Sequence, residues 1–505
     1  MKHLNNYVLL KTKSNNYYFY SDYYNHFLLI QPIMYDMIKE IEKGIEINKI
    51  LDSNSESKIS LNKRQYPKED VHYYYNKFLF LKQNKFFTKK TINWGQTFSR
   101  DMVKYEMFTK PNLVFETTTE CNLNCEYCGF GEYYDNYGER DSSYISFDIA
   151  KKIIDYTLNL CLKNSGARII YINIGFYGGE PLLNIEFIKK VVNYVRALEN
   201  DRVKFKFNMS TNCLLLGKYK DFLYENDFAL FLSLDGNEYA NSYRKFHNNK
   251  PSFEKIFKNI KLLQKTYPEY FSTKVKINAV MHNRNSLGEL LEFFEKEFSV
   301  SPMLSQLSTI GIAEEKQKEF KERFYKNPIK KLNRFKCKED EFIDAINLDS
   351  LGKFHHNINT YKYHTFSSLT LPRNNNVKFR PTSTCNPFNR KMFVTTKGEI
   401  FVCEKIGREY LVGKIDENGV FIDFDRIEEL YKDLFNSVLK LCDKCYRFSN
   451  CETCIFELID HNGQIKYCKE YVSKSNYPKY LSKYLEKILE RPDNYSDSIT
   501  KYYFS

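Results

Sequence analysis

The sequence predicts an α/β protein built on a parallel sheet, with a small module before it and a cysteine-rich module after it. Three observations carry this. From Leu113 to Phe298, apolar runs of strand length alternate with amphipathic stretches of helix length. That alternation with short loops is the pattern of a parallel sheet, open or closed as a barrel. Before it, residues 1–110 hold an aromatic hairpin pattern and two helical repeats. After it, seven cysteines fall within residues 385–468. A chain of 505 residues suits about three domains at ~150 residues each. An apolar content of 42% is that of a folded globular chain.

In the first module, Tyr17–Tyr20 and Phe27–Ile30 flank a polar turn at Ser21-Asp22 and read as a β-hairpin. Met34, Met37, Ile38 and Ile41 follow Pro32 at helical spacing. Val71, Tyr74, Tyr75 and Phe78 repeat that spacing, and Leu79–Phe87 reads as a wing. The whole suits a winged-helix-like module or a structural cap on the next domain.

The central region offers strands at Leu113–Thr117, Ile169–Phe176, Lys204–Met209, Ala229–Leu234, Val275–Met281 and Met303–Ile310. Helices are expected at Phe147–Leu162, Ile185–Leu198, Tyr219–Glu225, Phe253–Lys265 and Leu287–Phe298. Residues 313–384 are charged, partly helical and read as a bridge, and residues 471–505 as a helical tail with Tyr480, Leu481, Tyr484, Leu485 and Ile488.

The net charge of +13 is spread along the chain without a basic block, which argues against a nucleic-acid partner. No apolar run approaches the ~20 residues of a membrane span, and Met1–Asn16 carries no secretory signal. A reducing cytoplasmic setting is expected, where thirteen cysteines are metal ligands more readily than disulfides.

Four motifs end successive strands. Cys121, Cys125 and Cys128 form a C-x3-C-x-aromatic-C array with Tyr127 before the third cysteine. Three close thiolates can hold three corners of a cubane iron–sulfur cluster and leave one iron open. A zinc site short of one ligand is the plainer alternative. Gly178-Gly179-Glu180-Pro181 follows the second strand, Ser210-Thr211-Asn212 the third, and Ser233-Leu234-Asp235-Gly236 the fourth, with Arg244 shortly after. Each is alone an ordinary turn. In parallel barrels, chemistry sits at these C-terminal strand ends.

Together, in this order, the four motifs resemble the radical S-adenosylmethionine (SAM) enzymes over about Leu113–Phe298. The resemblance implies a partial (β/α)6 barrel over residues 111–312. It implies a [4Fe-4S] cluster on Cys121, Cys125 and Cys128, with SAM bound at its open iron. Tyr127 would lie near the adenine, Gly178, Gly179 and Glu180 would hold the methionyl ammonium, and Ser233 and Arg244 would face the ribose or carboxylate. Cys213 departs from the pattern, standing where the family usually has glycine.

The later cysteines resemble the SPASM domain that follows many such cores, here residues 385–470, although the spacing from Cys451 to Cys454 is one residue short. That resemblance implies an auxiliary [4Fe-4S] cluster on Cys442, Cys445, Cys451 and Cys468. A second would lie on Cys385, Cys403 and Cys454, its fourth position open or filled by Cys337. Read alone, Cys442, Cys445, Cys451 and Cys454 could instead be a compact zinc site. Cys161 reads as core.

In that context residues 1–110 are similar to the leader-peptide recognition modules of radical SAM peptide maturases, which bind along a strand edge. The implied activity is reductive cleavage of SAM to a 5′-deoxyadenosyl radical, which abstracts hydrogen from a precursor peptide. The product would be an intrapeptide crosslink, thioether or carbon–carbon. An electron donor such as a flavodoxin or ferredoxin is implied as a partner. A sulfatase-maturase-like formylglycine-generating enzyme is the enzymatic alternative. A non-catalytic iron–sulfur or zinc binding protein is the alternative of another class.

Overall fold

The computed structural model describes residues 7–325 and 378–490, apart from 22, 24–25, 54–55, 89–92, 96–97, 136–140, 165, 167, 449–450, 452, 460–463 and 466–467. It begins with three antiparallel strands, β1 (Tyr7–Lys11), β2 (Tyr17–Ser21) and β3 (His26–Ile30), in the order β1-β2-β3. Side chains alternate across such a sheet. Tyr7 and Phe19 therefore join one core while Leu10 and Tyr20 join another on the opposite face. Helix α1 (Pro32–Glu42) starts on a proline, whose fixed φ suits the first helical turn. It buries Met34, Met37, Ile38 and Ile41. Helix α2 (Ile47–Ser53), a hairpin of β4 (Lys58–Leu61) and β5 (Arg64–Pro67), and α3 (Lys68–Gln83) complete the module.

The wing is thus Lys58–Pro67, not Leu79–Phe87 as the sequence suggested. Helix α3 runs on to Gln83 because Phe78 continues the buried face begun at Val71 and no glycine or proline interrupts Leu79–Gln83. The true hairpin turns on Asn62 and Lys63, both left-handed (φ 47° and 69°), as a two-residue hairpin turn requires. Lys63 is an unusual residue there. Buried Asp36 of α1 holds the turn in place, accepting from Asn62 Nδ2 at 2.8 Å and Tyr66 Oη at 2.5 Å.

A short strand β6 (Asn93–Trp94) and α4 (Arg100–Thr109) lead into the main sheet. Phe98, Val103 and Met107 already belong to its core. Six parallel strands follow in chain order: β7 (Asn112–Glu116), β8 (Ile170–Tyr177), β9 (Val203–Thr211), β10 (Ala229–Ser233), β11 (Val275–Met281) and β12 (Met303–Gln306). Between them run α5 (Phe147–Asn164), α6 (Ile185–Leu198), α7 (Leu216–Glu225), α8 (Phe253–Thr266), the short α9 (Pro268–Lys274) and α10 (Leu287–Phe298). The alternation expected from sequence is present throughout. The helices cover one face, where Phe115, Phe176, Phe187 and Phe228 pack together.

The last strand is shorter than expected. From Leu307 the chain leaves the sheet, turns at Gly311 (φ 76°) and forms α11 (Gln317–Phe324). Among the described residues no strand pairs with the outer edge of β12, so the described barrel is open on that side.

On the far side of β7 the sheet continues. After β13 (Lys378–Phe379), which pairs with β6, strand β14 (Met392–Val394) lies parallel to β7. Antiparallel β15 (Glu399–Phe401), β16 (Gly413–Asp416) and β17 (Gly419–Ile422) extend it to ten strands. The cysteine-rich segment thus shares the sheet of the central region. Helix α12 (Phe424–Cys442) carries Tyr431 and Phe435 against Phe98. A single turn α13 (Ile455–Leu458) and α14 (Tyr477–Glu490) end the described chain. Tyr477, Leu481 and Leu485 of α14 pack on Leu10 and Tyr20 of the first module; Tyr484 and Ile488 fall outside the described side chains. No helix among the described residues is long and apolar enough to cross a membrane.

Candidate active site

Strand β7 delivers the chain into a loop at the C-terminal end of the sheet. Thr117, Thr118 and Thr119 are buried at its root. Cys121, Cys125 and Cys128 follow, all half-buried. Tight turns shape the loop, with Cys128 N donating to Cys125 O at 3.1 Å and Gly131 N to Cys128 O at 2.8 Å. Asn124 N and Glu126 N donate to the carbonyls of Lys245 and Tyr243, so the loop rests on the segment after β10. Leu123 N and Asn212 Nδ2 each lie 3.5 Å from Cys121 Sγ. Amide donors of this kind stabilise sulfur that carries negative charge. The Cys125 thiol is pushed up to about 12 by burial, and Cys128 and Cys121 add to that rise. Three thiols this close ionise together only beside a compensating cation, which an iron cluster supplies. The donor set therefore fits the group.

The glycine pair seats this loop. A Cβ on Gly178 would lie 2.4 Å from Thr118 O, and one on Gly179 2.0 Å from Glu120 O. The close approach is used: Gly179 N donates to Thr118 O at 2.8 Å and Glu180 N to Glu120 O at 2.9 Å. Glu180 is fully buried. Its carboxylate accepts from Thr211 Oγ1 and Asn212 N, both at 2.7 Å, and from Leu182 N at 3.2 Å. Burial pushes it up to about 7 against those three bonds. Glu180 thus ties the second strand end to the third. Cys213 adopts the left-handed conformation (φ 69°) that glycine would take there, at a cost of roughly 1 kcal/mol. Asn259 Nδ2 holds its carbonyl at 2.8 Å.

A buried hub lies behind the loop; the sequence singled out its Tyr127, Asp235 and Arg244, but not that they bond to one another nor that His282 joins them. Asp235 is fully buried and accepts from Tyr127 Oη. It also accepts from Arg244 Nε at 3.0 Å and from Val280 N at 3.0 Å. His282 Nε2 lies 3.8 Å away. Burial alone would raise Asp235, but Arg244, His282, Tyr127 and the Val280 amide outweigh it and bring it down to about 2. The Arg244 guanidinium is therefore engaged by Asp235, 5.6 Å from the centre of the Tyr127 ring. Ser233, at the end of β10, is half-buried.

The structure also groups the later cysteines. Cys442, Cys445, Cys451 and Cys468 line one pocket with Arg447 and Tyr471. Cys385, Cys403 and Cys454 gather around buried Tyr431, whose ionisation is opposed by burial and then by these three thiols. Ser383 N to Thr453 O (3.0 Å) and Ile455 N to Thr384 Oγ1 (2.8 Å) bring Cys385 beside Cys454. Cys337 lies outside the described residues. Cys161 is buried in the core. Among the described residues no three His, Cys, Asp or Glu side chains converge as they would on a single ion. A cubane spreads its ligands over separate irons.

A half-open parallel barrel with a three-cysteine loop on its first strand defines a class, and comparison with known proteins agrees. Residues 115–296 match the family model of the radical SAM superfamily, so this segment is a radical SAM domain. An uncharacterised protein of Methanocaldococcus jannaschii is 34% identical over 36% of this chain and 56% of its own length. A cysteine-type anaerobic sulfatase-maturating enzyme of Clostridium novyi is 28% identical over 37% and 48%. These matches span about half the length of the relatives. A cysteine-type anaerobic sulfatase-maturating enzyme of Clostridium perfringens is 24% identical over 71% of this chain and 93% of its own. Among solved structures, native anSMEcpe with bound AdoMet and a peptide superposes with a TM-score of 0.51. That match has 19% identity and covers 77% of this chain and all of the other.

Proposed function

We propose that this chain is a radical SAM peptide maturase that forms a crosslink within a precursor peptide. The observation that carries the reading is the joining of three cysteine sites to a peptide-sized N-terminal module. When bound, the reduced cluster and SAM together supply a 5′-deoxyadenosyl radical. Cys121, Cys125 and Cys128 hold that cluster, and the backbone at Gly178–Glu180 takes the methionyl ammonium. Tyr127 would serve the adenine and Ser233 the ribose or carboxylate, with Arg244, held by Asp235, supplying positive charge beside them. Cys442, Cys445, Cys451 and Cys468 hold one auxiliary cluster, and Cys385, Cys403 and Cys454 the other. Strand β3, an edge of its sheet with Leu29 exposed, takes the leader peptide by strand addition. The buried strand ends exclude water and competing hydrogen donors. A flavodoxin or ferredoxin supplies electrons.

Anaerobic co-expression with the nearest short peptide gene tests the reading. The expected product has lost about two hydrogens per crosslink. An unchanged peptide alongside active SAM cleavage would remove the crosslinking claim. Iron should approach 3 × 4, or about 12, atoms per chain; zinc in the tail would end the auxiliary-cluster assignment.

A second reading, formylglycine formation, is favoured by the match to nearly the whole Clostridium perfringens relative. It predicts that a sulfatase-derived peptide gains an aldehyde reactive toward a hydrazine probe. The N-terminal module weighs against it, since that chemistry needs no leader-peptide reader.

A further inference from the structure

Among the described residues no strand pairs with the outer edge of β12, yet the segment Leu307–Tyr325 that follows this strand bonds to the first cysteine loop. We infer that this segment is a strap holding the first cysteine loop, with Arg323 as the positioning residue. The inference rests on the cluster reading of Cys121, Cys125 and Cys128.

The strap bonds to the loop along its length. Asp135 N donates to Gly311 O at 3.0 Å, Ala313 N to Tyr133 O at 2.9 Å, and Tyr133 Oη to Glu319 Oε1 at 2.7 Å. At its end, Arg323 reaches Glu126, the residue directly after Cys125. Nε and Nη2 of Arg323 lie 3.1 Å and 2.5 Å from Glu126 Oε2. Lys245 meets the same carboxylate from the other side. The other face of the strap is bonded to the end of β11. Asn283 N donates to Phe324 O at 2.9 Å, Asn283 Nδ2 to Arg323 O at 2.7 Å and Tyr243 Oη to Arg323 O at 3.2 Å.

Phe320 and Phe324 are fully buried in a cluster with Tyr127, Tyr133 and Tyr243. This aromatic cluster is separate from the core beneath the helices. The loop from the first strand is thus stapled to the ends of the last strands where no strand pairing can do it. Glu126 and Tyr127 occupy the two positions between Cys125 and Cys128, so a shift of either moves both sulfurs. Arg323 itself is partly exposed; its removal gives up its own contacts with Phe324 and Tyr133 but leaves the ring-to-ring contacts of Phe320, Phe324, Tyr127, Tyr133 and Tyr243 in place. The expected effect is local: a looser loop that releases iron faster.

The test uses full-length protein purified anaerobically with its iron. The signal followed is the reduced-cluster EPR spectrum that changes on adding SAM, in the presence of an iron chelator. Arg323→Ala should lose that signal about tenfold faster than wild type, the lower end of what removing an outer-shell partner costs in metal affinity. Iron in the tail and the melting temperature should not change. Arg323→Lys keeps a cation toward Glu126 and should recover most of the difference, which a merely structural role would not require. Glu126→Gln removes the Arg323 pair from the loop side together with the Lys245 pair, and should lose the signal at least as fast as Arg323→Ala. Wild-type rates in both Arg323→Ala and Glu126→Gln would overturn the strap alone. Wild-type protein without iron at the three cysteines would overturn the strap and the cluster reading together.

Discussion

The two ends of the cysteine set are built differently. The first loop grows from a buried strand and is seated on backbone: Gly178 and Gly179 leave no room between it and the next strand end. Behind it, Asp235 joins Tyr127, Arg244 and the β11 end in one buried hub. Among the described residues, the four-cysteine site of the tail has no such frame. Cys442 ends α12, while Cys445, Cys451 and Cys468 lie in turns and loops around a cavity. The difference teaches that the first site is shaped by the fold before its group arrives, whereas the tail relies on its group to be shaped. Arranging a reactive centre in advance is what catalysis requires, and a structural group that completes a domain behaves in the second way.

The sharpest way to break the first site is Gly179→Ala. Its Cβ would meet the backbone carbonyl of Glu120 at 2.0 Å, and backbone cannot swing aside as a side chain can. The loop must move, so the first cluster should be lost with more than about a hundredfold of SAM cleavage, the scale of a 1 Å misplacement at a reacting centre. Iron should fall by about a third, one cubane in three. Iron analysis and a SAM-cleavage assay check it. Full iron content would show that the glycine contact does not govern the loop.

The tail should answer in the opposite sense. Cys445→Ala removes one ligand from a site without a frame, and order should be lost beyond the site. Tyr446 N bonds to Val472 O, and the Tyr446 ring meets Tyr477 at 5.3 Å. The path leads directly to α14 and the N-terminal sheet. Hydrogen exchange in β1 and α14 should rise about tenfold or more, as local opening costs less, while exchange in β7–β11 stays as it was. Equal protection in wild type and Cys445→Ala would deny the tail its dependence on the cluster.

The hub gives a pH signature that the tail lacks. Asp235 is held at about 2, below the usual carboxylate value of about 3.9. An acid with a depressed folded value stabilises the fold above its unfolded value, and that stability is lost as pH falls through the folded one. About 2–3 kcal/mol should therefore disappear between pH 4 and pH 2. Asp235→Asn should flatten that part of the acid-denaturation curve. It should also lower stability at pH 7 by about 3–5 kcal/mol, because Arg244 is left buried without its partner. An unchanged acid slope in the variant would place the titration elsewhere.

These contrasts explain what could be read from sequence. The parallel strands were legible because apolar residues recur at strand spacing along them, as Val275, Ile277 and Ala279 do in β11. The cysteines and the strand-end motifs were legible by spacing. The joining of the hub was not: Asp235, Tyr127 and Arg244 stand in the motifs, but no periodicity links them to one another or to His282 at the end of another strand. Arg323 sits in Glu314–Arg323, a charged stretch that reads as a solvated face, yet its Phe320 and Phe324 are fully buried. The joining of β14 to β7 rests on three residues, too few to show a pattern. The hairpin at Asn62-Lys63 lacks the glycine that usually marks such a turn.

The smallest expected effect lies where the two ends of the chain meet. Tyr477 of α14 is buried and its hydroxyl lies 3.1 Å from that of Tyr20 in β2. The rings meet edge to face at 5.7 Å. Tyr477→Phe keeps the ring and removes the hydroxyl, so the packing remains and one buried hydrogen bond is lost. That bond is worth about 1 kcal/mol. The population in which α14 lifts from the first module should rise about fivefold. Proteolysis at the start of α14 in native buffer would report it, since cleavage of a transiently open state follows its population. SAM cleavage by the distant first site should not change. A variant that lost SAM cleavage along with α14 docking would mean that the N-terminal module helps to shape the first site as well, and the contrast between the two ends would no longer hold.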